Sequence, residues 1–200
     1  MEKSHKVYLI RHGQVVGHEN FPVCGHTDIG LTDVGIMQMK QMAERLRLVE
    51  LGGIYSSDLQ RASIGAQIIA THHNVPIHSI KKMREMHFGD WEGITLSEIR
   101  SNFPEELEKR QKDIVNFAAP GNGESVAVFS RRIMEAFENI LSRHESGNIA
   151  IVAHGAVNRV ILSHALSLDL SKIFHIQQDY GCLNIIDYFP DNTLVQLMNG

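Results

Sequence analysis

Cysteine is scarce in this chain, long apolar runs are missing, and no excess of basic charge is present. Cys24 and Cys182 are the only two thiols in 200 residues, too few for a disulfide framework or a four-ligand zinc site. A reduced, cytoplasmic setting is expected. The N-terminal stretch Met1-Glu2-Lys3-Ser4-His5-Lys6 lacks the apolar segment and cleavage site of a signal peptide, and no run is long enough to cross a bilayer, so no membrane association is expected. A formal charge of -4 lacks the basic balance of a nucleic-acid binder. Any anionic substrate must therefore be held by local charge.

Several chemical motifs are absent as well. There is no GxxxxGKS/T loop, no GxSxG elbow, and no HExxH or Cys/His ligand spacing, which leaves nucleotide hydrolysis of the Walker type, the usual serine-hydrolase layout and a metal centre without support. No internal repeat, low-complexity tract or linker interrupts the chain. Its 200 residues are read as a single domain.

What is present is an alternation of strand-like and helix-like segments. Val7 to Ile10, Ile54 to Ser56, Ile77 to Ile80, Ile149 to Ala153 and Leu183 to Asp187 are short apolar runs of the buried-strand kind. Thr32 is expected to cap a helix to about Leu48, with Met37, Met39, Met42, Ala43 and Leu46 on its apolar face. Ser57 or Asp58 should cap the next, through about His72. A third starts near Ser125 and carries Val128, Phe129, Ile133, Phe137, Ile140 and Leu141 at close to helical spacing. A fourth follows His154-Gly155. This pattern predicts an α/β layer structure with ligands outside the carboxyl ends of the strands. Residues 81 to 123 fit it poorly, apart from a short helical stretch near Leu96 to Asn102, and are expected to be an excursion over the site.

The first strand runs into Arg11-His12-Gly13 and a later one into His154-Gly155. Phosphoryl transfer needs an in-line nucleophile, cations around the equatorial oxygens and an acid for the leaving oxygen. A neutral imidazole is available near pH 7 and attacks phosphorus directly, which makes His12 the candidate nucleophile. Successive strand side chains point to opposite faces, so Arg11 and His12 reach one phosphate only if the strand has ended there. Gly13 would permit the change of direction. Arg61 lies near a helix N-terminus, where free N–H groups already favour an anion, and adds a planar cationic fork. Its structural alternative is a solvated pairing with Asp58. His154, at a strand-to-helix junction, would be cationic beside a bound phosphate. The acid is Glu85, Asp90 or Glu92, and spacing does not choose among them. The pair His72-His73, late in a helix, is given a structural reading.

With these motifs in this order, the chain resembles the histidine phosphatase superfamily, the phosphoglycerate-mutase-like group. Gly25, Thr27-Asp28, Leu31-Thr32, Gly35, Ser56 through Ala62, Phe88 through Gly93 and Gly123-Glu124-Ser125 extend the resemblance over nearly the whole length. It implies a three-layer sandwich with a mixed, mostly parallel sheet, a phosphorylated His12, Glu85 as proton donor and acceptor, and Arg11, Arg61 and His154 around the phosphoryl group. Gly13, Gln14, His18, Cys24, Gly25 and Gly155 are the expected substrate neighbours. It further implies no metal or other cofactor, a small-molecule phosphate ester as partner and hydrolysis rather than mutation, with a homodimer allowed. Departures fall just after the triplet, where Gln14-Val15-Val16-Gly17-His18 replaces the family's Glu-Thr-x-x-Asn, and where Cys24 replaces a frequent polar residue. Within the superfamily, segments around Glu85 to Glu92, Gly121 to Arg132 and His175 to Asp187 most resemble α-ribazole phosphatases. The alternatives are a broad phosphatase of sugar phosphates or phosphoglycerate-like acids and, from another class, a phosphate-binding module without turnover.

Overall fold

A computed structural model describes residues 5–20, 23–145 and 147–200, so residues 1–4 of the N-terminal stretch lie outside it. The strands are β1 (His5–Arg11), β2 (Leu51–Ser56), β3 (Ile77–Ser79), β4 (Gly147–Ala153), β5 (Leu183–Tyr188) and β6 (Thr193–Leu197). They form one sheet in the order β3-β2-β4-β1-β5-β6. The pairs β3/β2, β2/β4 and β4/β1 are parallel, while β1/β5 and β5/β6 are antiparallel. The expected mixed, mostly parallel sheet is therefore present.

The two-residue period of a strand sends alternate side chains to opposite faces. Val7, Leu9, Ile149 and Ile151 meet α5 (Val126–Leu141) and α6 (Gly155–Ala165) on one face, where Phe129, Ile133, Phe137, Val160 and Ile161 complete a core. Ile10, Ile54, Ala150 and Val152 meet α1 (Asp33–Leu46) and α2 (Gln60–Ala70) on the other. Helices on both faces of the sheet make three layers. No helix among the described residues is long and apolar enough to cross a membrane.

The Thr32 cap is as expected, accepting from the Gly35 N–H at 3.0 Å, and α5 starts where expected, with Ser125 accepting from the Val128 N–H at 3.3 Å. The cap of α2 is not the expected one. Its N-cap position is Leu59, without a side-chain bond. The Gln60 N–H is taken instead by Asp28 Oδ1 at 2.8 Å, from a distant loop. Ser57 and Asp58 are engaged elsewhere, by His154 and Arg84. Met37 and Val128 also depart from expectation, being solvent-exposed rather than part of an apolar face.

Between β3 and α5, α3 (Leu96–Asn102) falls on the predicted helical stretch, and α4 (Pro104–Lys112) is a helix not foreseen. A small core of Trp91, Ile99 and Ala119 holds this segment together, with Phe88 shared between it and the larger core. The edge strand β6 was not foreseen either.

Gly13 is required for a reason other than the one expected. Its backbone is not in the left-handed region. A Cβ there would lie 2.3 Å from the Gly35 carbonyl oxygen and 2.7 Å from its Cα. Two backbones touch at this point, locking the chain after β1 against the start of α1. Gly13→Ala should therefore cost about 1–3 kcal/mol, the usual penalty of overpacking, and lower turnover together with it. A urea unfolding midpoint equal to that of the unmodified protein would refute this.

Candidate active site

Three parallel neighbours deliver the candidate residues at their carboxyl ends. The end of β1 carries Arg11 and His12, β2 leads through Ser57 into α2 with Arg61, and β4 leads through His154 into α6. The His12 N–H bonds the Ala153 carbonyl at 3.0 Å, so regular pairing continues up to the nucleophile candidate. Beyond it the strand has ended, which lets Arg11 and His12 line the same cleft.

His12 is buried, and its Nδ1 lies 2.8 Å from the Gly13 carbonyl oxygen. A carbonyl only accepts, so Nδ1 carries the hydrogen and Nε2 keeps the lone pair. Burial, followed by the charges of Arg11 and Arg61, pushes the imidazole well below its ordinary pKa. The result is a neutral ring with its nucleophilic nitrogen unprotonated.

Arg61 is 1% exposed and donates to the Gly25 and Thr27 carbonyls, each at 2.7 Å. Its pairing with Asp58 does not occur. Asp58 instead makes a two-point contact with Arg84, both bonds 2.6 Å long. Arg11 donates from Nη1 to the Gln178 carbonyl at 2.6 Å and lies 4.0 Å over the Tyr180 ring, while its buried Nε has no partner among the described residues.

His154 is fully buried, 5.2 Å from His12 between ring centroids, with Nε2 2.7 Å from Ser57 Oγ. Burial first, then Arg61, His12, Arg11 and His26, pushes its pKa well down. The ring is thus neutral near pH 7, and only a bound anion could offset these pushes enough to give the cationic form expected above.

The three carboxyl candidates separate by position. Glu92 is occupied by the loop before α1, accepting from the N–H groups of His26 and Thr27 and from the Thr27 hydroxyl, all at 2.8 Å. Asp90 does not line the cleft. Glu85 does, and it accepts from the Met86 N–H at 2.8 Å and from the Ala156 N–H in the first turn of α6 at 3.1 Å. Arg132 holds this segment in place by donating to the Glu85 carbonyl at 3.1 Å while paired with Glu124 at 2.6 Å.

The cleft, about 210 Å³ in volume, is also lined by Cys24 and Gly25 and by an apolar wall of Val15, Val23, Phe88 and Tyr180. Gly13, Gln14, His18, Gly155 and the fully buried His154 do not line it, His154 reaching the site through its contact with the His12 ring. Gln14 accepts from the Thr32 hydroxyl at 2.9 Å, and His18 Nδ1 is 3.2 Å from Glu19. A Cβ on Gly155 would come within 3.1 Å of Arg159 Nη1. Among the described residues no group of three or more His, Cys, Asp or Glu is arranged to hold a metal ion.

Residues 7–200 match the model of the histidine phosphatase superfamily, branch 1. The chain belongs to that superfamily. It is 27% identical over 194 residues to an adenosylcobalamin/alpha-ribazole phosphatase of Salmonella typhimurium, covering 97% of this chain and 96% of the relative. The crystal structure of the alpha-ribazole phosphatase from Shigella flexneri superposes with a TM-score of 0.89 at 26% identity, covering 98% of this chain and 96% of that one. A phosphoserine phosphatase from Entamoeba histolytica, solved with 3-phosphoglyceric acid, gives 0.86 at 27% identity, with 98% and 97% covered.

In this histidine phosphatase, sequence reasoning did not single out Ser57, Phe88, Tyr180, Val15 or Val23 as neighbours of the site. Tyr180 sits on the connection before β5, and only tertiary folding brings its ring over Arg11. No periodicity marks such a contact.

The two depressed imidazoles make stability depend on pH in a definite sense. Unfolded histidines titrate near pH 6.5. Below that value the unfolded chain takes up protons that folded His12 and His154 refuse, so stability falls with acidity and is flat above. The urea midpoint should drop between pH 7.5 and 5.5, with a slope of at most about 1.4 kcal/mol per pH unit per histidine. His12→Gln should flatten the slope; an unchanged slope would count against a buried neutral His12.

Proposed function

We propose that this histidine phosphatase hydrolyses phosphomonoesters through a phosphohistidine without a metal, and that its substrate is α-ribazole 5'-phosphate, released as the nucleoside during assembly of the cobalamin nucleotide loop. On this reading the chain is one domain, with residues 81 to 123 lying over the cleft. The contribution of Glu85 and Phe88 to the cleft lining supports that arrangement.

His12 Nε2 attacks phosphorus in line while the bond to the leaving oxygen breaks. Arg11, Arg61 and His154 stabilise the charge on the equatorial oxygens, and Glu85 gives its proton to the departing alkoxide. Glu85 then takes a proton from the water that attacks the phosphohistidine, breaking the P–N bond and releasing phosphate. Permanent guanidinium charge does the work that a metal would otherwise do.

The observation that carries the substrate reading is the division of the cleft. Among the described residues its lining cations are Arg11 and Arg61, both beside His12, and apart from Gly25 and Glu85 the remaining wall is Val15, Val23, Cys24, Phe88 and Tyr180. A leaving group with a carboxylate, as in phosphoglycerate or phosphoserine, would find no further lining cation and would lose water there. A nucleoside with an aromatic base would instead meet two aromatic rings and aliphatic surface. A broad phosphatase is the second reading, favoured by the likeness to the phosphoserine phosphatase at a similar identity of 27%. A binding module without turnover is disfavoured by the cleft itself, in which a neutral imidazole and a carboxyl group face one space.

Acid quench of the unmodified protein during turnover should trap an acid-labile, base-stable phosphoenzyme, and His12→Ala should abolish it. Undiminished trapping in that variant would remove His12 from the role of nucleophile. In a substrate panel, kcat/KM for α-ribazole phosphate should exceed that for 3-phosphoglycerate and phosphoserine by about tenfold or more, since an unpaired carboxylate is costly to bury. Equal values across the panel would favour the broad phosphatase.

A further inference from the structure

Ser57 is fully buried at the junction of β2 and α2, and its hydroxyl has two neighbours among the described residues. The Leu59 N–H donates to Ser57 Oγ at 3.4 Å, and His154 Nε2 lies 2.7 Å from the same oxygen. A hydroxyl has one hydrogen to give. If His154 Nε2 carried the imidazole proton, Ser57 would accept twice, and its own hydrogen would be left without an acceptor in a site sealed from water. With the proton on the other nitrogen, the hydroxyl donates to Nε2 and accepts from Leu59, and both atoms at this joint are satisfied.

That arrangement leaves one donor over, His154 Nδ1, which is buried and has no partner among the described residues. The charged and titratable groups acting on this ring are Arg61 from α2, Arg11 and His12 from the end of β1, and His26 from the loop after Cys24. These groups all oppose an imidazolium. Until an anion binds, the ring is therefore neutral, and which nitrogen carries its hydrogen becomes decisive.

We infer that Ser57 is a positioning residue that sets the tautomer of His154, holding its proton on Nδ1 so that a neutral imidazole donates to an equatorial phosphoryl oxygen. What Nδ1 donates to rests on the phosphohistidine reading; the tautomer itself rests on the hydrogen bonds alone. Ser57 never touches the phosphate. It acts through His154, as a neighbouring carbonyl acts on His12 by fixing its hydrogen on Nδ1.

Nitrogen NMR of histidine-labelled protein near pH 7.5 tests this, with the His154 signals identified by their loss in His154→Asn. The unmodified protein should show His154 protonated on Nδ1 and unprotonated on Nε2. Ser57→Ala should shift the proton at least partly to Nε2 and weaken inorganic vanadate binding by about tenfold, the worth of one hydrogen bond. A proton on Nε2 in the unmodified protein would overturn the inference, and so would an unchanged Nδ1–H tautomer in Ser57→Ala. The spectrum needs no turnover. A failure here is thus separable from a failure to trap phosphate on His12.

Discussion

A guanidinium cannot be buried without acceptors, and the site is organised around meeting that requirement for Arg61. Its two terminal nitrogens donate to the backbone carbonyls of Thr27 and Gly25, so the loop carrying them must turn its oxygens inward. The N–H groups of that loop then point the other way. Glu92 collects those of His26 and Thr27 and also accepts from the Phe88 N–H at 3.2 Å. One buried cation thereby fixes a loop, the loop fixes a carboxylate, and the carboxylate ties the segment bearing Phe88 to the rim of the cleft. Substituting Lys would keep the charge and lose the fork that grips two carbonyls at once.

The same logic explains the helix caps. The helices α1 and α5 are capped by their own chain neighbours, Thr32 and Ser125. The helices α2 and α6 begin at the carboxyl ends of β2 and β4, next to the cleft, and borrow their caps from far along the chain: Asp28 for α2 and Glu85 for α6. A remote cap links two segments where a local one merely ends a helix. For Glu85 the linkage does more, since the N–H of Ala156 fixes one carboxyl oxygen while the group lines the cleft. Arg132, bound to Glu124 and to the carbonyls of Lys82, Arg84 and Glu85, keeps the approach to that carboxyl group rigid.

This pattern of local and remote contacts marks what was legible in the sequence. Strand runs, the Thr32 cap and the helix start near Ser125 are written in adjacent residues, so periodicity and cap chemistry found them. The Ser57 or Asp58 cap was misread because the acceptor for α2 lies more than thirty residues upstream, beyond what any local rule can see. The helix α4 escaped because it buries no residue and so shows no apolar stripe, although Pro104 at its first turn was a usable signal. The strand β6 is a short edge strand with no fully buried residue, so its apolar alternation is weak. At the site, Arg11, His12, Arg61 and His154 were legible because they stand at strand or helix ends with chemistry of their own. Spacing did not separate Glu85 from Asp90 and Glu92; the family resemblance did, and the geometry agrees, whereas Tyr180 and Ser57 are marked only by their contacts. Gly13 was found for the wrong reason: its lack of a side chain serves the approach of Gly35 rather than a turn.

Why two imidazoles should be crowded beside two arginines follows from a division of labour. Arginine stays charged at any working pH and therefore holds a phosphate without being available as a nucleophile or a proton carrier. Histidine can do either, but only if it is uncharged when substrate arrives. Burial and the adjacent guanidinium groups depress both imidazoles well below their ordinary range, so on the proposed mechanism the field that would bind the anion also keeps His12 ready to attack it. Once a dianion is bound, that field is largely neutralised and the pressure on the two rings falls. The arrangement is therefore conditional: the imidazoles are most strongly held neutral before the substrate binds and least so after phosphate has bound. A surface site could not do this, because water would screen the arginines from the histidines and leave each to titrate alone. The depth of the pocket is thus as much a part of the chemistry as the residues in it.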